Sequence, residues 1–238
     1  MPQPLLELEN VSARYGPLRA LFDVSLRVDA GEVLAIVGAN GAGKSTLLKA
    51  VTGLVPNKGQ MIRFAGRDLG GMRPEAIHRL GIALVPEGRR LFASLTVEEN
   101  LLIGALGKRA GPWTLERVYA LFPDLEARKS SPGTALSGGQ QQMVAVGRAL
   151  MSNPDLLLCD ELSLGLSPKV VGDIYARLPE IRGTGTALMI VEQDAHRAKA
   201  AADRLLCLQD GRVTLEGAAD ALDLQQIADA YFGTQEAA

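Results

Sequence analysis

The chain has 238 residues, of which 47% are hydrophobic and 22% are charged. This is the composition of a globular protein, which excludes a disordered chain, while the length leaves one large domain or two small ones open. With 25 basic and 27 acidic side chains, the net charge gives no overall basic excess for nucleic acid or an anionic membrane surface, although a local patch stays open.

The pattern of apolar residues argues against insertion into a membrane. No apolar stretch reaches the roughly 18 residues that a spanning helix needs, and the first ten residues lack the basic segment and apolar core of a signal peptide. We therefore expect a cytoplasmic protein. Cys159 and Cys207 lie far apart within apolar runs, which predicts buried core thiols rather than a metal site or a redox pair.

Short strands are predicted over the first third of the chain. Residues 5–9 and 24–28 have the residue types of strands, and 33–37 is an apolar run that predicts a fully buried strand. Residues 61–64 are predicted as an edge strand after a turn at residues 56–59. Together these segments predict a small antiparallel layer around residues 1–35 and 60–66, followed by a buried strand at residues 82–85.

From about residue 94 to 150 helical periodicity replaces the strand pattern, with Thr96 as a predicted helix cap and Glu99 as its partner. Buried strands then return at residues 156–159 and 188–191, next to helical segments, which indicates parallel βαβ units. A hairpin around residues 209–212 and a helix over 219–231 close the chain. Without a Ser/Gly linker or an internal repeat, we expect a single domain over residues 1–238.

A phosphate-binding loop is predicted between the strand at 33–37 and the next helix, because residues 38–45 fit G-x-x-x-x-G-K-[ST]. Backbone N–H groups and the helix N-terminus would hold phosphate oxygens, Lys44 would neutralise them, and Ser45 would bind Mg²⁺. A glycine-rich turn that only joins strand to helix would have no use for Lys-Ser-Thr. The predicted nucleotide-binding residues here are Gly38, Ala39, Asn40, Gly41, Ala42, Gly43, Lys44, Ser45 and Thr46.

Two acidic residues follow the strand at 156–159, at the strand end where parallel sheets bind ligands. We expect Asp160 to take part in Mg²⁺ binding and Glu161 to act as the general base for the water that attacks the γ-phosphate. Paired acids after a strand also cap helices, but the upstream phosphate loop favours the metal and catalytic roles.

A second glycine-rich element, Leu-Ser-Gly-Gly-Gln at residues 136–140, precedes a long helical segment. Ser137 is placed to cap that helix, and Gly138 and Gly139 expose N–H groups at its positive end. A capping turn alone would explain Ser and one Gly, but not the pentapeptide. We predict that Ser137, Gly138, Gly139 and Gln140 form a second phosphate-binding surface.

Taken together, the two glycine-rich motifs and the acidic strand end resemble the ABC ATPases over essentially the whole chain. The resemblance implies an α/β P-loop NTPase fold with a RecA-like core, an antiparallel β subdomain and a helical subdomain near residues 94–150. It implies ATP and Mg²⁺ as ligands and places Tyr15 at the adenine-stacking aromatic, although a surface or core tyrosine is equally consistent with that residue alone. It also implies a head-to-tail dimer in which the 136–140 motif of one subunit faces the phosphate loop of another.

Three positions differ from most members of that family. Glu87 stands where Gln is usual, and it can accept hydrogen bonds from the metal's water shell but cannot donate them. Gln193 replaces the usual His, and it can donate to the γ-phosphate but cannot become cationic. Ser167 replaces the usual Asp. The segments around them resemble the LivF-type ATPases of branched-chain amino acid importers. Leu162 stands where Pro is usual, and its free N–H and flexible φ predict a looser turn and slower or less well coupled turnover.

The resemblance implies several partners. It implies transmembrane permease subunits, a second ATPase subunit that is a copy or a related chain, and indirectly an extracytoplasmic substrate-binding protein, with the chain peripheral on the inner face of the membrane. We expect the helical insert and residues 87–92 to dock a short cytoplasmic helix of the permease, the alternative for this loop being a solvated basic segment with a buried Phe92.

Other functions stay open at this stage. An amide or urea importer would use the same motor, because the solute is not encoded in this chain. A non-transport ATPase acting on nucleic acid or the ribosome is less favoured, since such proteins usually carry a long coiled coil or two cassettes. Glu161 argues against a regulatory module that holds ATP without hydrolysing it.

Overall fold

The structure is a computed structural model that describes residues 3–56 and 61–232, so the predicted turn at 56–59 lies largely outside the described residues, as do the extreme ends of the expected single domain. An antiparallel sheet, in the order β2-β1-β4-β5, forms one layer of the described structure. Its long ribbon joins Leu6 to Val28 at one end and Tyr15 to Leu18 at the other. The strands are β1 (Leu6–Tyr15), β2 (Leu18–Val28), β4 (Ile62–Phe64) and β5 (Arg67–Asp68).

The prediction that residues 61–64 form an edge strand is wrong. β4 lies between β1 and β5, and pairs with both. The reason is a tight turn at Ala65 and Gly66, both with positive φ, which folds the short β5 back onto β4. Glycine adopts this backbone conformation without strain, and a two-residue strand gives too weak a pattern to be predicted from sequence.

A second sheet in the described structure has the order β10-β9-β3-β8-β7-β6. Its strands from β9 to β6 are parallel, and β10 joins β9 as an antiparallel hairpin. Every residue of β3, β7 and β8 is buried, as expected of parallel strands covered on both faces. The predicted α/β class is confirmed. The strands are β3 (Val33–Val37), β6 (Ile82–Val85), β7 (Leu156–Asp160), β8 (Ala187–Glu192), β9 (Arg204–Gln209) and β10 (Arg212–Ala218).

Helices from residue 97 to 150 form the predicted insert between β6 and β7. Its first helix begins with the predicted capping box, in which Thr96 Oγ1 accepts from Glu99 N at 3.2 Å and Glu99 Oε2 accepts from Thr96 N at 2.8 Å. Ser137 and Gln140 make the same reciprocal pair at the last helix, at 3.3 and 3.0 Å. The insert contains α3 (Val97–Gly104), α4 (Leu115–Leu121), α5 (Pro123–Glu126) and α6 (Gly138–Leu150).

The remaining helices cover the parallel sheet. They are α1 (Lys44–Val51), α2 (Pro74–Leu80), α7 (Pro168–Tyr175), α8 (Leu178–Arg182), α9 (Ala195–Ala201) and α10 (Leu224–Phe232). The last helix begins later than the predicted residue 219, because Asp223 Oδ1 accepts from Gln226 N at 2.7 Å and Gln226 Oε1 accepts from Asp223 N at 2.9 Å. This capping pair sets the start of the helix.

Side chains of the parallel sheet divide the core into two main clusters. One face packs against α1 and the antiparallel layer, and the other packs against the helical insert and α7. Cys159 and Cys207 are buried free thiols, as predicted. None of the described helices is both long and apolar enough to span a bilayer.

Candidate functional site

A cleft of about 360 Å³ lies at the carboxyl ends of β3, β7 and β8, which is where parallel α/β sheets bind ligands. It gathers predicted residues from segments far apart in the sequence, together with Ala20 and Leu164, which sequence reasoning missed because small and apolar residues carry no chemical signal. The lining residues are Ala20, Asn40, Gly41, Gly43, Lys44, Ser45, Thr46, Glu87, Glu161, Leu164 and Gln193.

The loop between β3 and α1 is tightly packed at its base. A Cβ atom on Gly38 would lie 2.1 Å from Leu208 O, so a larger residue would push the loop off β9. α1 then begins at Lys44, whose side chain is only 4% exposed. Gly38 and Ala39 place their backbone oxygens toward Lys44, while the N-terminus of α1 faces the cleft as a site of partial positive charge.

Lys44 is held at the centre of the cleft. Its Nζ donates to Gly38 O at 2.7 Å and to Ala39 O at 3.0 Å, and lies 3.9 Å from Glu161 Oε1. Burial lowers the pKa of Lys44, and the negative charges of Glu161 and Asp160 oppose that effect. A ligand with negatively charged oxygens would compete with the two carbonyl groups for this cation.

Ser45 and Asp160 form a pair of oxygen groups beside Lys44. Ser45 Oγ donates to Asp160 Oδ1 at 2.9 Å, which joins the first turn of α1 to the end of β7. Burial raises the pKa of Asp160; the hydrogen bond from Ser45 opposes this, and the nearby carboxylates of Glu161 and Glu87 add to it. Negative charge is therefore concentrated here without a full counter-charge.

Glu161 has a strained backbone, with φ at 52° in the left-handed region that side chains rarely adopt. Its N–H donates to Val191 O at 3.1 Å, which fixes it to the end of β8. Gln193 Nε2 donates to Glu161 Oε2 at 2.8 Å. Two of the predicted catalytic side chains, Glu161 and Gln193, are thus in direct contact, and the third, Lys44, has its Nζ 3.9 Å from Glu161 Oε1.

The Leu-Ser-Gly-Gly-Gln motif stands apart from this cleft. Among the described residues that line it, none comes from residues 136–140. Ser137 is exposed at the N-terminus of α6, and a Cβ atom on Gly139 would lie 2.5 Å from Val170 Cγ1, so α6 packs closely against α7. At the N-terminus of α6 the motif thus exposes Ser137 and parts of Gly138 and Gln140, while Leu136 and Gly139 are buried.

Tyr15 also lies outside the cleft lining. It is 45% exposed at the end of β1, beside Leu18, which is 68% exposed. This leaves the ring accessible to a planar ligand near the antiparallel layer. Its adenine-binding role stays a prediction.

The loop from Glu87 to Phe92 leads from the cleft to the surface. Asn100, which is completely buried, accepts from Phe92 N at 2.9 Å and donates to Phe92 O at 3.1 Å. Arg148 donates to Arg90 O at 2.9 Å and stacks over the ring of Phe92. Phe92 is 49% exposed, which is contrary to the alternative of a buried Phe92.

Leu162 and Ser167 lie on the segment after Glu161. Leu162 is 1% exposed and belongs to the core cluster beneath the helical insert, and no hydrogen bond from its N–H occurs within the described structure. Ser167 stands at the N-cap of α7 without a side-chain capping bond. The Leu162 side chain is thus anchored in the core, and the looseness of this turn stays a prediction.

Comparisons with known proteins agree with this geometry. A family model described as ABC transporter matches residues 21–163. The high-affinity branched-chain amino acid transport ATP-binding protein BraG of Pseudomonas aeruginosa is 43% identical over 96% of this chain and 100% of that protein. The probable branched-chain amino acid transport ATP-binding protein LivF of Archaeoglobus fulgidus is 35% identical over 92% and 94%.

Solved structures give the same result. The structure of an ATP-binding subunit of an ABC transporter has a TM-score of 0.83 and 30% identity, and the match covers 96% of this chain and 99% of that one. A bacterial ABC transporter cassette solved as a dimer has a TM-score of 0.80 and 26% identity over 91% and 100%.

Proposed function

Because the chain belongs to the ABC transporter family, as one of its ATP-binding and ATP-hydrolysing subunits, we propose that it drives the import of branched-chain amino acids. The observation that carries the site assignment is the convergence of Lys44, Glu161 and Gln193 in one cleft, with Asp160 bonded to the cleft residue Ser45. The solute assignment is supported by the two relatives whose names specify branched-chain amino acid transport.

The hydrolytic step uses charge and position rather than a covalent intermediate. Lys44 and the N–H groups of the loop stabilise the negative charge that develops on the transferred phosphoryl group. Glu161 accepts a proton from the attacking water, which becomes the nucleophile. Gln193, already bonded to Glu161, orients that carboxylate and donates to the γ-phosphate.

Mg²⁺ fits the oxygen groups beside the phosphate loop. Ser45 Oγ and Asp160 Oδ1 lie 2.9 Å apart, and Glu87 lines the same cleft as Ser45. Burial, and to a lesser extent the charges of Glu161 and Glu87, raise the pKa of Asp160, and a divalent cation would favour its ionised form. The described residues contain no cluster of three or more His, Cys, Asp or Glu residues able to bind a metal by themselves. Phosphate oxygens and water would complete the shell of Mg²⁺, which supplies charge compensation for phosphoryl transfer.

Two cassettes would be needed for a complete site. The exposure of Ser137, with Gly138 and Gln140 partly exposed beside it, supports a head-to-tail dimer in which the motif at residues 136–140 binds the ATP of the partner subunit, with Tyr15 stacking on adenine. The second cassette is a copy or a related chain. Each chain would form one domain over residues 1–238, with the insert of residues 94–150 as its helical subdomain.

The docking surface for the permease would lie beside the Glu87-to-Phe92 loop. A groove of about 280 Å³ there is lined in part by Leu54, Ile103 and Arg148, and Leu54 is 55% exposed. An apolar groove with a cation at its rim suits a short amphipathic cytoplasmic helix. The chain would then sit on the inner face of the membrane, act with an extracytoplasmic substrate-binding protein, and have no nucleic acid partner.

A single-turnover assay tests the hydrolytic assignment. Glu161→Gln keeps the shape and the contact with Gln193 but removes the base, so we expect ATP binding to persist and hydrolysis to fall by about 100-fold or more. Equal, measurable single-turnover rates for wild type and Glu161→Gln would refute Glu161 as the base, and no hydrolysis in either protein would favour a module that only binds ATP.

An uptake assay tests the solute assignment. The chain is purified with its membrane partners, and uptake of labelled leucine is measured with labelled urea as the control. We expect ATP-dependent leucine uptake. Urea or amide uptake without leucine uptake would assign the motor to a related importer, and association with nucleic acid or ribosomes without a permease would refute transport.

A further inference from the structure

A buried carboxylate lies directly beside the proposed catalytic pair, and the chemistry above gives it no role. Glu192 is the last residue of β8, and its side chain is 1% exposed. The next residue, Gln193, donates to Glu161. Removing a carboxylate from water is costly unless partners compensate it. The partners of Glu192 therefore indicate what it holds in place.

Three groups from three different parts of the fold bind Glu192. Ser163 Oγ, in the segment that follows Glu161, donates to Oε2 at 2.7 Å. The Tyr175 hydroxyl at the end of α7 donates to Oε1, and burial together with the charge of Glu192 raises the pKa of Tyr175. Arg197 of α9 places Nη1 3.8 Å from Oε2. One side chain thus joins β8, α7, α9 and the segment after Glu161.

These contacts cross-link the two backbones that carry the catalytic pair. Glu161 N already donates to Val191 O at 3.1 Å, next to Glu192. The hydrogen bond from Ser163 to Glu192 adds a second link between the same two segments, two residues after Glu161. A shift of either backbone would move Gln193 Nε2 away from Glu161 Oε2, which lie 2.8 Å apart.

We propose that Glu192 is a positioning residue that holds Gln193 and Glu161 in register through Ser163, and links movement of Gln193 to residues 163–167 and α7. This inference rests on the roles proposed above for Glu161 and Gln193. Glu192 does not touch the reacting atoms. It acts by fixing the relative position of the base and the side chain that orients it.

Steady-state ATP hydrolysis by the full chain tests the link. Ser163→Ala and Tyr175→Phe each remove one hydroxyl donor to Glu192, and we expect kcat to fall roughly 10- to 100-fold, because small misplacements at a reacting centre cost rates of that order. KM for ATP should stay within about twofold, since the phosphate loop is untouched. Ser163→Thr retains the hydroxyl and should recover most of kcat.

A matched control separates position from stability. Glu32 is another buried carboxylate, just before β3 at the opposite end of the same sheet, where it accepts from Arg204 at 2.7 Å and from Asp29 N at 2.6 Å. Glu32→Gln should lower the unfolding midpoint without lowering kcat. A fall in kcat in Glu32→Gln matching that in Ser163→Ala would overturn the proposal in favour of a purely structural role.

Two further measurements test whether Ser163 and Glu192 act through Gln193. In a Gln193→Ala background, Ser163→Ala should lower kcat by less than about twofold, because the residue being positioned is already gone. If Ser163→Ala lowers kcat in that background by the same factor as in wild type, the proposal is overturned. Hydrogen exchange of residues 163–167 should respond to a non-hydrolysable ATP analogue in wild type and not in Glu192→Gln. An equal response in both proteins would also overturn it.

These experiments distinguish a wrong positioning role for Glu192 from a wrong assignment of the catalytic base. If Glu161→Gln retains hydrolysis, the assignment of the base is wrong. If Glu161→Gln abolishes hydrolysis while Ser163→Ala and Tyr175→Phe keep wild-type kcat, only the positioning role of Glu192 is wrong.

Discussion

Asn100→Ala should uncouple the motor from its permease, because Asn100 holds the loop that leads from the cleft to the proposed docking surface. Its Oδ1 accepts from Phe92 N at 2.9 Å, and its Nδ2 lies 3.1, 3.2 and 2.9 Å from the carbonyl oxygens of Phe92, Leu95 and Thr96. An amide has two N–H groups, so alanine removes about three hydrogen bonds.

The magnitude follows from those three bonds. At about 1 kcal/mol net for each, the free energy of unfolding should fall by about 3 kcal/mol. For a chain of this size, that is a drop of about 6–12 °C in the unfolding midpoint. Stimulation of ATP hydrolysis by reconstituted permease should fall at least about tenfold, while KM for ATP changes little because the phosphate loop is not in contact with Asn100.

Asn153→Ala is the matched control. Asn153 holds another loop with the same three bonds, accepting from Trp113 N at 2.7 Å and donating to the backbone oxygens of Arg109 and Trp113, each at 3.2 Å. Its φ of 52° makes alanine at least as costly there. We expect a similar loss of stability with stimulation retained. Equal loss of stimulation in both variants, or none in Asn100→Ala, would refute the reasoning.

Three other predictions concern the cleft. Asp160→Asn should lower hydrolysis about 100-fold or more and raise the unfolding midpoint in metal-free buffer. Because burial raises the folded-state pKa of Asp160, the folded protein loses stability as pH rises through that pKa and the carboxyl group ionises. The increase in unfolding midpoint of Asp160→Asn over wild type should therefore grow from acidic to neutral pH in thermal unfolding. Leu162→Pro should raise the ATPase rate by stiffening the turn after Glu161, and an unchanged rate would count against this. Gly38→Ala should weaken ATP binding in titrations, because its Cβ would meet Leu208 O, whereas Gly172→Ala, with nothing within 4 Å, should not.

Local patterns predicted local structure well. The caps at Thr96 and Ser137 require only residues within one helical turn, and both are present as predicted. The buried strands at 33–37, 156–159 and 188–191 were predicted because every residue in each run is apolar, which matches a parallel sheet. The phosphate loop followed from a spacing that has a direct chemical reason.

Long-range packing explains what the sequence did not reveal. The position of β4 inside its sheet depends on β5, which is too short to have a pattern. Glu192 directly follows the predicted strand at residues 188–191, and its partners Ser163, Tyr175 and Arg197 come from three separate segments. No local pattern indicates that such groups meet, since the fold alone brings them together.

The contacts of Gln193 and Glu192 bear on how a motor of this kind transmits force. Gln193 directly follows β8 and is joined through Glu192 to α7 and to the segment after Glu161. A nucleotide can shift an equilibrium only by the difference in its contacts between two states. Contact between the γ-phosphate and Gln193, through the second N–H of its amide, would therefore be passed through Glu192 to residues 163–167. The contact with Glu161 would be kept while the phosphate is bound, and loss of the phosphate would remove only the added contact.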